Sequence, residues 1–149
     1  MSVNAEPLLT DVFQMIRVKL AANSTVTGII GTSPLRCYRN NPPGNVSYPT
    51  IVMSLLSSFA ANEDYVSIDY TIQLAIYSKS DNRSNQDILV RELMGIFSNP
   101  GTNYNQDLTK IEKINFSGGG GEIYIEDQRL RILPLTLFVK ARRIDTLNA

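Results

Sequence analysis

A chain of 149 residues with 43% hydrophobic content has the size of one globular domain, one that buries about 68–70% of its unfolded surface. Its 14 basic and 14 acidic residues cancel, so the overall basic excess of a general nucleic-acid binder is missing. There is no histidine and a single cysteine, Cys37, which excludes Ser-His-Asp and Cys-His chemistry, the commonest zinc ligand and an intrachain disulfide. Met1 to Pro7 lacks the basic-then-apolar layout of a signal peptide, and no run approaches the ~18 apolar residues of a membrane span. The expectation is a soluble protein made in the cytoplasm, with no membrane partner.

Leu8, Leu9, Val12, Phe13, Ile16 and Leu20 recur at helical spacing, with Asp11, Gln14, Arg17 and Lys19 elsewhere around the cylinder. A helix from Pro7 to Ala22 follows, and Pro7 suits its first turn. Asn23 breaks it, Ser24 and Thr25 are placed to cap a short turn over Val26–Ile30, and Gly31 ends that turn. Arg36-Cys37-Tyr38-Arg39 reads as a short strand that buries Cys37 as a small core residue. Asn40 to Asn45, with its two prolines and Gly44, forms turns and cannot hold a ladder.

Thr50 to Leu56 is an apolar run early rich in β-branched residues, and reads as a buried strand followed by a polar loop from Ser57 to Asp64. From Val66 to Tyr77 the alternation is strict. Val66, Ile68, Tyr70, Ile72, Leu74 and Ile76 share one face, while Ser67, Asp69, Thr71 and Gln73 share the other. That strand extends roughly 40 Å at about 3.3 Å per residue. Its apolar face needs a lid. The nearest candidate is a helix over Gln86–Phe97, with Ser84 as N-cap, an apolar stripe through Leu89 and Leu93, and a stop at Asn99-Pro100-Gly101.

The last third reads as a hairpin, with one arm over Leu108–Ser117, a tip at Gly118–Gly121 and a return at Glu122–Ile125. Leu130 to Arg142 then alternates, with Leu133, Leu135, Leu137, Val139 and Ala141 on one face. Pro134, which lacks an N–H, argues for an edge or a bulge there. The expected fold is α+β: residues 1–149 form a single domain, a mainly antiparallel twisted sheet packed by two helices, with a long β-hairpin.

The motifs that could carry chemistry fail on their residues. Gly118–Gly121 is followed by a strand with an acid first, where a phosphate loop needs a helix, a lysine and a hydroxyl. Asp81 to Glu92 has the length of a calcium loop, but Arg83 stands at the third position and Gln86 at the glycine position. Glu63-Asp64 and Glu126-Asp127 are short acidic pairs that read as solvated loops. An enzyme would have to bring them together in a cleft. No cofactor is implied.

The polar face of the two long strands, Ser67, Asp69, Thr71 and Gln73 with Thr136, Lys140 and Arg142, has two explanations. It faces water as one side of an ordinary antiparallel sheet. Otherwise it lines a wet channel or meets a neighbouring subunit. The turn-rich arms Arg39–Ser47 and Ser117–Gln128 are costly to order alone and favour a neighbour that orders them.

The order of elements resembles the tail terminator, or tail-completion, proteins of long-tailed bacteriophages. The resemblance lies in the first helix with Asn23-Ser24-Thr25-Val26-Thr27-Gly28-Ile29-Ile30-Gly31, then Arg36-Cys37-Tyr38 and the proline loop. It continues through Tyr48-Pro49-Thr50-Ile51-Val52, the long strand to Ile76-Tyr77, the helix from Asp87 to Phe97 and the final alternating strand. The chain departs from the family pattern in Thr32-Ser33-Pro34-Leu35, inserted before the first strand, and in Cys37 where an aliphatic residue is usual.

The resemblance implies a non-enzymatic virion protein, a hexameric ring at the head-proximal end of the tail that stops tube growth and joins the tail to the neck. Its partners would be copies of itself, the tail tube protein, a head-completion or neck protein, and a sheath protein where the tail contracts. Genomic DNA would pass through without specific binding. Contacts are then expected at Asn41, Gly44, Asp69, Thr71, Gln73, Gly119, Gly120, Lys140 and Arg142. Another head–tail connector is the nearest alternative. A monomeric binding module or a small enzyme is the alternative of a different class.

Overall fold

The computed structural model describes residues 6–60, 67–79, 83–98, 104–106, 109–117 and 121–143. In chain order these form α1 (Glu6–Ala21), α2 (Ser24–Ile30), β1 (Cys37–Arg39), β2 (Thr50–Ala60), β3 (Ser67–Lys79), α3 (Arg83–Phe97), β4 (Tyr104–Gln106), β5 (Thr109–Ser117), β6 (Ile123–Ile125) and β7 (Leu130–Arg143). One mixed sheet runs β1-β2-β3-β7-β5-β4, with β6 also on β7; β1 and β2 are parallel and the other pairs antiparallel. Helices cover one face of it, which makes the α+β, two-layer arrangement the sequence leads one to expect.

The sheet is built on β3 and β7, which pair without a break from Ser67↔Arg142 to Lys79↔Leu130. Both strands alternate, so directly opposed residues share a face. Ile68, Tyr70, Ile72, Leu74 and Ile76 on β3 thus meet Leu135, Leu137, Val139 and Ala141 on β7 in one buried layer. Over this layer lie the α1 stripe of Val12, Phe13, Met15, Ile16 and Leu20, with Leu89, Leu93 and Phe97 of α3 and Val26 and Ile30 of α2.

Polar contacts fix where the helices sit. Asn23 ends α1 and is itself the N-cap of α2, its Oδ1 accepting from the Val26 N–H at 3.0 Å. Ser24 and Thr25, expected to cap, lie inside the helix. The Asn23 amide also donates to Glu92 Oε2 at 3.3 Å, joining the α1–α2 corner to α3. Thr109 Oγ1 donates to Asp11 Oδ2 at 2.6 Å, which locks α1 to β5. Arg36 donates from Nη2 to the Ile29 carbonyl (2.6 Å) and from Nε to the Pro49 carbonyl (3.0 Å), so one guanidinium ties α2 to the start of β2. Gly31, at φ 84°, passes so close that a Cβ there would lie 3.1 Å from Arg36 Nη1 and from the Pro34 carbonyl.

Three expectations need correction. First, β2 continues to Ala60 through what reads as a polar loop, because its Ser57–Ala60 stretch pairs with Ile68–Thr71. Pairing there overrides local polarity. Second, α3 begins by Arg83, so Ser84 is inside the helix and not its N-cap; the Asn99-Pro100-Gly101 stop lies outside the described residues. Third, β5 and β6 do not form a hairpin with each other. Both pair with β7, β5 opposite 136–143 and β6 opposite 130–132, on the edge of β7 that β3 leaves free. The turn that does close a hairpin is the 3-10 segment Glu126–Gln128, between β6 and β7. The edge expected at Pro134 is present locally: β7 is a central strand, yet β5 ends opposite Thr136 and β6 begins opposite Ile132. Among the described residues nothing pairs with Pro134 on that side, so its missing N–H falls at a local edge.

Leu74 is fully buried in the layer beneath the helices, whereas its neighbour Gln73 points the other way. Leu74→Ala is expected to cost about 2–5 kcal/mol of folding stability and Gln73→Ala within about 0.5 kcal/mol, measured as urea midpoints.

Candidate interaction surface

The face of the sheet opposite the helices carries the polar positions singled out in the sequence. The register sets Ser67 opposite Arg142, Asp69 opposite Lys140, Thr71 opposite Phe138 and Gln73 opposite Thr136. β5 adds a third row, with Lys110 opposite Arg142, Lys113 opposite Lys140 and Asn115 opposite Phe138. Asp69, Thr71 and Lys140 line an open hollow of about 370 Å³ with Lys113, Asn115 and Phe138, floored by Tyr70 and Val139. Gln73 and Arg142 flank it without lining it. Asn41 and Gly44 are exposed in the loop between β1 and β2, away from the hollow. Gly119 and Gly120 lie outside the described residues.

Two single-residue bulges decide what faces outward. In β5 the register slips between Ile111 and Lys113, leaving Glu112 as the extra residue. Ile111 and Ile114 can then both face the core while Lys110 and Lys113 both face out. In β2 a slip between Leu55 and Ser57 makes Leu56 the extra residue and turns Phe59 to the outer face, opposite Asp69. Strict alternation would put Phe59 on the core side with Met53. It is instead 73% exposed, and Phe138 on the same face is 44% exposed. A single exposed apolar side chain is ordinary. Full burial of a phenylalanine is worth about 1.5–3 kcal/mol, of which Phe59 forgoes most and Phe138 less than half, so this face holds apolar surface that a partner can cover.

The cations on this face are crowded. Lys113 lies opposite Lys140 and Lys110 opposite Arg142, like-charge cross-strand pairs that each cost up to about 1 kcal/mol. Asp69 is the acid beside them, and among the described residues none forms an ion pair with Lys113 or Lys140. The local field is therefore positive, which suits an acidic partner.

A second exposed apolar group sits at the other end of β7. Ile123 (52% exposed), Tyr124 (47%) and Ile125 make up β6, followed by exposed Glu126 and Asp127. This arm is held to its own body by polar contacts. Arg131 pairs with Glu122 at 3.2 Å and stacks its guanidinium 5.0 Å from the Tyr124 ring centroid, and Lys79 donates to the Gln128 carbonyl at 2.8 Å. Sequence reasoning passed over Phe59, Phe138 and Lys113, but marked the arm, within Ser117–Gln128, as a segment that favours a neighbour. Phe138 was open to it, between Thr136 and Lys140 in a clean alternation. Phe59 and Lys113 were hidden by the bulges.

The chemical alternatives can be placed as well. The segment from Arg83 to Glu92 is helical, and Glu92 is held by Asn23, so it cannot wrap as a calcium loop. Glu126 and Asp127 occupy an exposed turn, and Glu63-Asp64 falls outside the described residues. Among the described residues no three His, Cys, Asp or Glu side chains gather, and no helix is long and apolar enough to cross a membrane. Cys37 is fully buried. Loss of water raises its thiol to about 12, offset in part by Arg17, whose guanidinium donates to the Cys37 carbonyl.

Compared by sequence, the chain matches no protein-family model and no curated protein. Its fold matches a solved chain from the "virion of native gene transfer agent (GTA) particle", with a TM-score of 0.71 at 11% identity over 92% of this chain and 98% of that one. At that identity the likeness establishes a shared fold.

Lys113→Gln relieves a like-charge pair and is expected to stabilise the isolated subunit by up to about 1 kcal/mol, as a raised urea midpoint. Cys37 is expected to resist iodoacetamide at pH 8 in the folded protein and to react fully once unfolded. Its thiol ionises near 9 unfolded and about 12 folded, so the folded state retains a proton that the unfolded state releases. Stability should be level with pH below 9 and fall above it. Cys37→Ala should remove the fall between pH 9 and 10, below the range where Tyr70, raised by burial from 10.0 to about 12, adds its own.

Proposed function

We propose that this chain is a structural virion subunit that closes into a hexameric ring at the head-proximal end of a tail tube. The ring stops tube growth and joins the tail to the neck. The observation that carries this is the fold held in common with a virion chain over nearly the full length of both. The surfaces support it in physical terms. Exposed aromatics and unpaired cations on the outer sheet face, with a braced apolar arm at the far end of β7, are features a solitary subunit has no use for.

In this role the chain needs no cofactor and performs no catalysis. One rim of the ring imitates the next tube ring closely enough to seat on the tube protein, and the opposite rim does not, so polymerisation halts. That second rim meets a head-completion or neck protein, and a sheath protein joins where the tail contracts. DNA crosses the lumen without sequence-specific contact, consistent with a chain whose formal net charge is zero.

The test is location and length. Antibody labelling of particles that carry this chain should mark one site, the junction of head and tail. Particles assembled without it should have tails of irregular, excessive length that remain unattached to heads. Tails of normal length in its absence, or label elsewhere on the particle, would overturn the proposal.

A further inference from the structure

We infer that the β6 arm of one copy seats in the hollow on the outer sheet face of the next, which deepens the ring proposal, and rests on it, by naming the two sides of the subunit contact. The two surfaces are complementary in charge and alike in greasiness. The arm presents Ile123 and Ile125 with Glu126 and Asp127, acids that form no ion pair with any described residue and outnumber the exposed Arg129 that follows them. The hollow presents Phe138 with Lys113 and Lys140, cations that likewise form none and outnumber its one acid, Asp69. Burying each set alone would strand charges, whereas burying them together pairs acids with cations and covers the aromatic.

An arm cannot fill its own hollow. β6 pairs no further along than Ile132 and the hollow spans Phe138 to Lys140, roughly 20–26 Å along the same strand at about 3.3 Å per residue, and β7 is straightened by pairing along its length with β3. The occupant must therefore come from another copy. Because donor and acceptor surfaces are different and lie at opposite ends of one strand, each copy can give an arm on one side and receive one on the other. Head-to-tail contacts of this kind close into rings when the rotation allows. The arm is also ready-made: Arg131 and Lys79 hold it in place before any partner arrives, which lowers the ordering cost of association.

The test uses three full-length chains: the natural one, an arm-reversed chain (Glu126→Lys, Asp127→Lys) and a face-reversed chain (Lys113→Glu, Lys140→Glu). Mass is read by light scattering at low ionic strength, with circular dichroism as the check on folding. The natural chain is expected to form rings and each reversed chain to lose them. An equal mixture of the two reversed chains should recover them, because every reversed arm then finds a reversed face in an alternating circle. Rings that persist in both reversed chains would overturn this contact and leave the ring proposal standing. A mixture that recovers only pairs would keep the contact and overturn the ring. If the natural chain stays monomeric, a chain carrying Ile123→Cys and Phe138→Cys decides: those sites are too far apart to bridge within one copy. Oxidation should then give a ladder of linked copies, and no ladder overturns the contact.

Discussion

The uninterrupted pairing of β3 with β7 is the constraint on which the remainder depends. Because directly opposed residues share a face, one register decides both what the helices cover and what they leave bare. Ile72 opposite Leu137 and Leu74 opposite Leu135 place the core, and the same register sets Asp69 beside Lys140 and Thr71 beside Phe138 on the other side. A slip of one residue would bury the charges and expose the leucines, at a cost far beyond the stability of a domain this size. The outer surface is thus as firmly specified as the interior, although no packing holds it.

The formal charge balance conceals a local excess of cations. Within the described residues, Lys110, Lys113, Lys140 and Arg142 gather toward one end of β7 around Asp69, whereas at the other end Glu122, Glu126 and Asp127 stand among Lys79, Arg129 and Arg131. A chain that is neutral as a whole thus carries a positive patch at one end of its long strand. The pull such a patch exerts on an acidic surface is directional and sensitive to salt, because contacts between exposed charges fade beyond about 8–10 Å at physiological ionic strength. Composition gives no overall basic excess, yet says nothing about how the charges are arranged.

What was legible in the sequence was whatever local periodicity dictates. The α1 stripe, the alternation of β3 and the alternation of β7 can be read directly, because each buries a single face and Pro7, Asn23 and Gly31 punctuate the helices. Asp69, Thr71 and Lys140 followed from the same alternation and do line one hollow. Choice of partner was not legible. Gly118–Gly121 reads as a hairpin tip, but β5 and β6 both found the free edge of β7, a decision made across the sheet and not within the segment. Nor was the far half of β2, where Ser57 and Ser58 read as loop residues until β3 supplies a ladder. The bulges hid the rest, since each shifts the phase of a strand by one residue with no glycine or proline to mark it.

The bulge in β2 leaves the outer face there open to change without cost to the core. In β5 the extra residue Glu112 sits between Ile111 and Ile114, which both pack on the core, but in β2 every residue from Leu55 to Phe59 is exposed. Moving the β2 insertion within that stretch would present a different row of side chains outward with little change to the buried layer. The fold therefore offers a way for subunits of one architecture to acquire different neighbours by the addition, loss or migration of a single amino acid, without redesign of the scaffold that holds them.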